Sequence, residues 1–471
     1  MPTCWPAVRS AGRPAEEGAI TDASGSTLPP DLARRLQRIV GERQIADRVP
    51  GLIAGLVRDG ELVWQAAVGA ADAVLPDQPP TTDTQFAIGS ITKTFTATLV
   101  MALRDEGKLD LDDSLAKFVP ETRHPQLTFR RLLAHASGLQ REPVGDIWDT
   151  LVHPDTTSLL AGLEEAEQVL PPRSDWHYSN LAYAVLGEVV ARIDGRAWAE
   201  SLQARILEPL GMARTTLMPE GERAVGYYTE PFTDQVTPQP VVDLRATAPA
   251  GTLWSTVGDL TRWASFLADG HDAVLSRDTL QEMAEVQMMA DRLRWTMAWG
   301  LGLELVRHGD RILVGHDGGM PGFVTAVLVH PATRSGAIVL SNTTSDFDPG
   351  ETAAILLSHM LDDDPAPEPA WRPEADVPDD LLGFIGRWWS EGAAFDFSVR
   401  RGRLEARSAG LPRTVPPAVF ERIDDATFRT VSGREHGELL RVTRDDDGAI
   451  RLLHWATYRV TREPESFIPR D

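Results

Sequence analysis

Phe86-Ala87-Ile88-Gly89-Ser90-Ile91-Thr92-Lys93 opens a stretch that runs on through Phe95, Ala97 and Leu99 to Met101. A short apolar run stops at a glycine and a largely apolar segment follows. The spacing predicts a buried helix with Ser90 and Lys93 one turn apart on the same face. Burial strips water from the Lys93 ammonium and lowers its pKa, which makes a neutral amine accessible. Such an amine can take the Ser90 proton, and the helix N-terminus favours the negative charge that develops there. The pattern by itself is short: a serine three residues before a lysine arises by chance on the order of once in seven such chains. The plain alternative is a serine that caps a buried helix.

Lysine is scarce. Lys93, Lys108 and Lys117 are the only lysines, and every other cation in the Lys+Arg count of 46 is arginine. Arginine supplies charge but does not readily give up its proton, so lysine chemistry must use one of these three positions. Ser114-Leu115-Ala116-Lys117 repeats the pattern, but it follows Leu109-Asp110-Leu111-Asp112-Asp113. That context predicts a protonated Lys117 in water beside carboxylates, and Ser114 as a helix cap. Lys108 is expected at the surface.

The 471 residues carry 69 Asp+Glu and a formal net charge of −23. So acidic a chain argues against binding nucleic acid through its phosphates. The single cysteine, Cys4, excludes a disulfide framework and a multi-thiolate zinc site. The histidines form no His-Glu-x-x-His pattern and no Gly-x-Ser-x-Gly occurs, which disfavours a metal hydrolase and an α/β-hydrolase. No metal and no cofactor is called for. Residues 1–28 lack the apolar core of a secretory signal, and nowhere is there an apolar run of about 18 residues. A soluble, cytoplasmic protein with no membrane partner is therefore expected.

Outward from the serine, Pro29-Pro30-Asp31 opens a helix with Leu32, Leu36, Ile39 and Val40 on one face. Gly51–Val57, a turn at Asp59-Gly60 and Leu62–Trp64 read as a hairpin. Helical periodicity dominates from Ser90 to about Asp269. Strands return at Arg311–Gly315, Phe323–His330 and Ala337–Ser341, and Ala354, Ile355, Leu357 and Leu361 mark a last amphipathic helix. Prolines at 365, 367, 369, 373 and 378 punctuate an acidic linker. Beyond it, Phe395–Val399, the turn Arg401-Gly402, and Leu440–Val442 joined through Asp447-Gly448 to Ile450–Leu453 predict a small antiparallel β domain. His454 and Tyr458 are expected in its core. The resulting division is a flexible segment 1–28, a main domain 29–361, a linker 362–380 and a β domain 381–471.

Two further elements fit chemistry at Ser90. In Tyr178-Ser179-Asn180, a phenol near a lysine ammonium can be held partly as phenolate and can pass a proton. Asn180 can offer its amide to an acyl substrate or orient Lys93. The alternative is a core tyrosine with a satisfied hydroxyl. Gly315-His316-Asp317-Gly318-Gly319 reads as the end of one strand and the start of a glycine-rich bend. Gly318 and Gly319 allow close backbone approach, so the N–H groups of Ser90 and Gly319 can form an oxyanion hole. His316 can polarise the substrate or tune Tyr178, against a structural histidine before a turn. No lysine follows Lys117, so a cationic role at this third element falls to His316 or an arginine.

Ser-x-x-Lys, Tyr-x-Asn and His-x-Gly in this order resemble the serine β-lactamase and penicillin-binding-protein superfamily, most closely its class C-like branch of β-lactamases, D-aminopeptidases, D,D-carboxypeptidases and family VIII carboxylesterases. Gly107–Asp113, Leu132-Leu133-Ala134-His135-Ala136-Ser137-Gly138-Leu139, Glu208-Pro209-Leu210-Gly211-Met212 and Pro249-Ala250-Gly251 through Asp259-Leu260 are similar to further family segments. The resemblance covers about residues 30–362. It implies an α+β, β-lactamase/transpeptidase-like fold: an antiparallel sheet flanked by helices plus a helical subdomain, with the site at their junction. It implies Ser90 as nucleophile, Lys93 and Tyr178 as the proton-handling pair, a covalent acyl-enzyme, and Asn180 with the His316–Gly319 strand lining the site. His135 is expected to order its loop. Pro171-Pro172-Arg173 departs from the family's Pro-Gly. Asp317, if it faces the site, disfavours acidic substrates such as β-lactams, and if the strand turns it away it is a surface charge. Phe384-Ile385-Gly386-Arg387-Trp388-Trp389 is similar to lipocalin-like domains appended to some members.

The expected activity is hydrolysis of a small ester, amide or peptide through an acyl-enzyme on Ser90, of esterase or D-amino-acid peptidase type. The alternatives are a β-lactamase or D,D-carboxypeptidase with the same mechanism, and a non-catalytic binding module on the same fold. Sequence does not fix the oligomeric state.

Overall fold

The computed structural model describes residues 26–365, 373, 376–390, 392–412 and 415–465. Two compact units divide between residues 366 and 367. Among the described residues no helix is long and apolar enough to cross a membrane.

In the first unit, helix α1 (Pro30–Ala46) leads into strands β1 (Gly51–Arg58) and β2 (Glu61–Gly69), joined at Asp59-Gly60. Helix α2 (Thr92–Asp105) carries Lys93, α3 (Asn180–Asp194) follows the tyrosine motif, and α4 (Val257–Asp269) precedes the remaining strands. These are β3 (Met288–Met289), β4 (Met297–Trp299), β5 (Glu304–His308), β6 (Arg311–Met320), β7 (Phe323–His330) and β8 (Ser335–Ser341), before helix α5 (Pro349–Asp363). They form one antiparallel sheet in the order β2-β1-β8-β7-β6-β5-β4-β3.

The central strands are apolar almost throughout because both faces of the sheet are covered. Leu52, Ala54 and Leu56 of β1 pack with Leu36 and Val40 of α1 and Leu356, Leu357 and Met360 of α5. The alternate residues Ile53 and Val57 face the other way, into a core shared with α4 and α2. The period of two along a strand thus feeds two separate helical layers. On α2 even the threonines are buried yet satisfied: Thr98 donates back to the Thr94 carbonyl at 2.8 Å and Thr94 to Ile91 at 2.7 Å, while Thr96 donates across to the Pro249 carbonyl at 2.7 Å.

Three sequence expectations need correction here. β6 does not stop at Gly315; its ladder with β7 continues through Gly319 and Met320, so His316–Gly319 is strand rather than bend. The first residues assigned to the linker, Asp362 and Asp363, complete α5, and 366–372 and 374–375 lie outside the described residues. Of the segment 1–28, residues 1–25 also lie outside, while Thr27 donates to the Val63 carbonyl at 3.0 Å and Leu28 is buried.

The second unit is a barrel of eight antiparallel strands in sequence order: β9 (Gly386–Ser390), β10 (Ala393–Arg400), β11 (Arg403–Ser408), β12 (Ala418–Asp424), β13 (Thr427–Thr430), β14 (Leu439–Arg444), β15 (Ile450–Trp455) and β16 (Tyr458–Val460). Reciprocal bonds between Trp389 and Thr461, at 2.7 and 2.9 Å, bring the last turn of chain back to the first strand. Trp388, Phe397, Phe420, Phe428 and Trp455 fill the interior. His454 and Tyr458 do not: Tyr458 keeps 46% of its surface, and His454 is only half-buried.

Candidate active site

The chain enters α2 through a 3₁₀ turn, Gly89–Ile91, which holds Ser90 at the helix N-terminus. Gly89 has φ +51°, and a Cβ there would fall 2.6 Å from the Gly319 amide nitrogen. A Cβ on Gly318 would fall 2.0 Å from the Ile88 carbonyl oxygen. Only glycines let strand β6 lie this close to the serine turn. Gly319 is thereby held against the serine turn, and Ser90 and Gly319 line one cleft.

Lys93 is fully buried, and its Nζ donates to Ser90 Oγ at 2.9 Å and to the Ala250 carbonyl at 2.6 Å. Its pKa is lowered to about 7, by burial first, opposed by the Glu142 carboxylate and assisted by Arg141. Lys117 pairs with Asp113 at 2.8 Å in solvent, as its acidic context predicted. Ser114 is a correction: it precedes a 3₁₀ turn without capping it, and its hydroxyl donates to the Pro125 carbonyl instead.

Lys93 Nζ lies 4.8 Å from the Tyr178 ring centre, and the Ser90 hydroxyl is near enough to act on the phenol. The phenolate expectation is overturned. Burial, reinforced by the carboxyls of Asp317 and Glu304, holds the phenol well above its ordinary value. That direction favours the neutral hydroxyl over a standing phenolate. Asn180 opens α3 and its Nδ2 donates to Glu142 Oε1 at 2.7 Å. Asn180 is thus held by Glu142, not by Lys93.

His135 sits under this layer with φ +53°. It accepts the Ser179 N–H on Nδ1 at 3.0 Å, its carbonyl takes the His177 N–H at 2.8 Å, and its ring lies 4.3 Å from that of Tyr178. Its part is to order the tyrosine loop. Ser90, Glu142, Asn180 and Gly319 line the polar side of a cleft of about 40 Å³, and Trp148, Leu244 and Met320 its apolar side.

His316 is buried, with its ring 6.3 Å from that of Tyr178. Its Nδ1 contacts the Asp317 carbonyl at 2.5 Å and Glu304 Oε1 at 3.3 Å. Burial, then the Lys93 charge, lowers its pKa to about 3, so it is a neutral imidazole and supplies no cation. Asp317 lies in a crowded recess yet keeps 60% of its side-chain surface. Its N–H donates to Glu304 Oε2 at 3.3 Å. Glu304 is buried, and burial followed by the Asp317 charge raises its pKa well above the usual carboxyl range. Glu304, His316 and Asp317 bring one donor atom each within 4.8 Å, close enough for a metal ion. Glu304, whose pKa is raised well above the carboxyl range, is a poor metal ligand, and His316 Nδ1 is engaged by the Asp317 carbonyl.

Sequence reasoning missed Glu142 and Glu304. Glu142 lies four residues past the Ser137-Gly138 signature. Glu304 reaches the site only because β5 pairs it with Gly315 across the sheet. Neither relation leaves a periodic trace in the chain.

Residues 36–360 match the Beta-lactamase family model, and residues 377–462 match a Domain of unknown function (DUF7586). The chain is 30% identical over 274 residues to Beta-lactamase-like protein 2 of Dictyostelium discoideum, covering 55% of this chain and 50% of that protein. It is 27% identical over 375 residues to Unguisins hydrolase ungD' of Aspergillus campestris (strain IBT 28561), covering 73% of this chain and 66% of that protein. The chain thus spans 50% and 66% of the lengths of these two relatives. Among solved structures, the D-amino acid amidase from Ochrobactrum anthropi SV3 complexed with D-phenylalanine is similar with a TM-score of 0.62 at 26% identity, covering 71% of this chain and 99% of that one.

Proposed function

The chain belongs to the Beta-lactamase family, and on that premise we propose that it is a serine hydrolase that opens a small ester or amide through an acyl-enzyme on Ser90. The observation that carries the reading is the 2.9 Å contact of Ser90 Oγ with an amine whose pKa is about 7.

As Ser90 Oγ bonds to the substrate carbonyl carbon, its proton passes to Lys93 Nζ. The Ser90 and Gly319 amides receive the charge that develops on the carbonyl oxygen. The bond to the leaving group breaks as the leaving atom takes a proton, which the neutral Tyr178 hydroxyl is placed to donate and Lys93 to replace. Water then attacks the acyl ester, gives its proton to the same pair, and releases the acid and the free Ser90 hydroxyl. Asn180, fixed by Glu142, presents its side-chain carbonyl to the acyl part.

An amide or ester substrate is favoured over a β-lactam or a peptide ending in a carboxylate. A neutral His316 and an acidic Asp317 stand where a carboxylate would need a cation. The amidase likeness supports the same choice.

A fluorophosphonate probe tests the reading: it should attach to Ser90, and Ser90→Ala should abolish labelling. Labelling at Ser114, or labelling that survives Ser90→Ala, would overturn it.

A further inference from the structure

Resting on this hydrolase reading, we infer that the site selects substrates bearing a cationic group, such as a quaternary or primary ammonium, on the departing side of the scissile bond, and that Asp317 receives that group.

The alternation of a strand puts Asp317 and Gly319 on one face of β6, and Gly319 lines the serine cleft. Asp317 therefore stands one pleat, about 7 Å, from the oxyanion position. Met320, on the other side of Gly319, belongs to the apolar wall with Leu244 and Trp148. An acyl group fills that wall, which leaves the departing part of the substrate over Asp317.

The charges nearby leave Asp317 without an internal cation. Among the described residues it forms no ion pair with arginine or lysine, and its closest basic neighbour is the neutral His316 at 3.7 Å. Burial raises the pKa of both carboxyls, Glu304 well above its ordinary value, so of the two it is Glu304 that holds a proton more readily. The Asp348 carboxylate also acts on Asp317. Arg141 is paired with Glu142 at 3.7 Å and lies over the Tyr178 ring at 4.9 Å. The charge of Asp317 is felt at both Lys93 and Tyr178, which places it within electrostatic reach of the reacting atoms. A half-exposed carboxylate in a recess, unpaired in a chain so rich in arginine, is a ready partner for a ligand cation.

The test uses three phenyl acetates that differ only at the meta position of the leaving phenol: 3-(trimethylammonio), the isosteric neutral 3-tert-butyl, and 3-carboxy. Each kcat/KM is divided by that ester's rate with hydroxide, which removes differences in intrinsic reactivity. In the native protein the cationic ester should exceed the isostere by about fivefold, and the carboxy ester should fall below it by a similar factor. Asp317→Asn should bring the ratio of cationic ester to isostere near one, Asp317→Lys should invert it, and 1 M NaCl should shrink it in the native protein. Ratios give the answer even where a variant loses overall rate. A native ratio of one, or a ratio unchanged by Asp317→Asn, overturns the inference. Fluorophosphonate labelling in the same preparation separates the two failures. Labelled Ser90 without charge discrimination sinks this inference alone, whereas absent labelling sinks the hydrolase reading beneath it.

Discussion

Lys93 is one side chain under opposed pressures. Full burial drives its pKa down, Glu142 pulls it back, Arg141 pushes it down again, and the result lies near 7. Below that pH the ammonium predominates and cannot take the Ser90 proton. Above it the amine is free. We therefore expect kcat/KM for a neutral ester to rise with pH through about 7 and level off above it, measured as a pH–rate profile. Glu142→Gln removes the largest charge favouring the ammonium while keeping an oxygen for Asn180. It should move the rising limb to lower pH, and a limb that stays or moves up would show that Glu142 does not set the base. Lys93→Arg keeps a cation but no acceptor, so the rate should fall about 100- to 10,000-fold. A variant with near-native turnover would remove Lys93 from its role.

At the scale of elements, the site is the meeting of α2 with β6. The spacing of Ser90 and Lys93 was legible because the 3₁₀ turn that bears Ser90 runs straight into α2, so three residues still make about one turn. His316 and Asp317 were visible as residue types, but glycines 318 and 319 suggested a bend, whereas the β6–β7 ladder runs straight through them. Gly318 serves close approach to Ile88 instead, and Gly89 serves close approach to Gly319. Glu304 was illegible because strand register, not local spacing, brings it in. The charge state of Tyr178 was misjudged because burial, which no motif reports, outweighs the nearby lysine. The tight contact makes a prediction. An added Cβ at Gly318 meets the Ile88 carbonyl at 2.0 Å, and the register Gly318↔Thr325 prevents β6 from sliding away. The serine turn must give. Gly318→Ala should cost about 1–3 kcal/mol in denaturant unfolding and slow Ser90 labelling at least tenfold. At Gly319 an added Cβ meets nothing within 4 Å, so Gly319→Ala should cost little stability. Equal stability losses in the two variants would count against this account of the contact.

At the scale of the whole molecule, the two units hold separate hydrophobic cores. The buried cluster around Phe95, Leu253 and Trp263 and the one beneath α1 and α5 draw only on the first unit. The barrel cluster draws only on Leu381 to Val460. Trp388 centres the latter: it is fully buried, its Nε1 donates to the Phe384 carbonyl at 2.6 Å, and Arg462 lies over its ring at 3.9 Å. Trp388→Ala would open a cavity and strand that carbonyl, a loss of about 3–5 kcal/mol. Domains of this size are stable by only about 5–15 kcal/mol, so the barrel transition should fall by on the order of 15 °C. The serine site takes no residue from that core, so fluorophosphonate labelling of Ser90 should proceed at the native rate below the new transition. Calorimetry and labelling on the same full-length variant decide it. A lowered barrel transition with native labelling is the expected pair, the reverse of the pattern for Gly318→Ala. Labelling that fails together with the barrel would show that the serine site depends on the second unit.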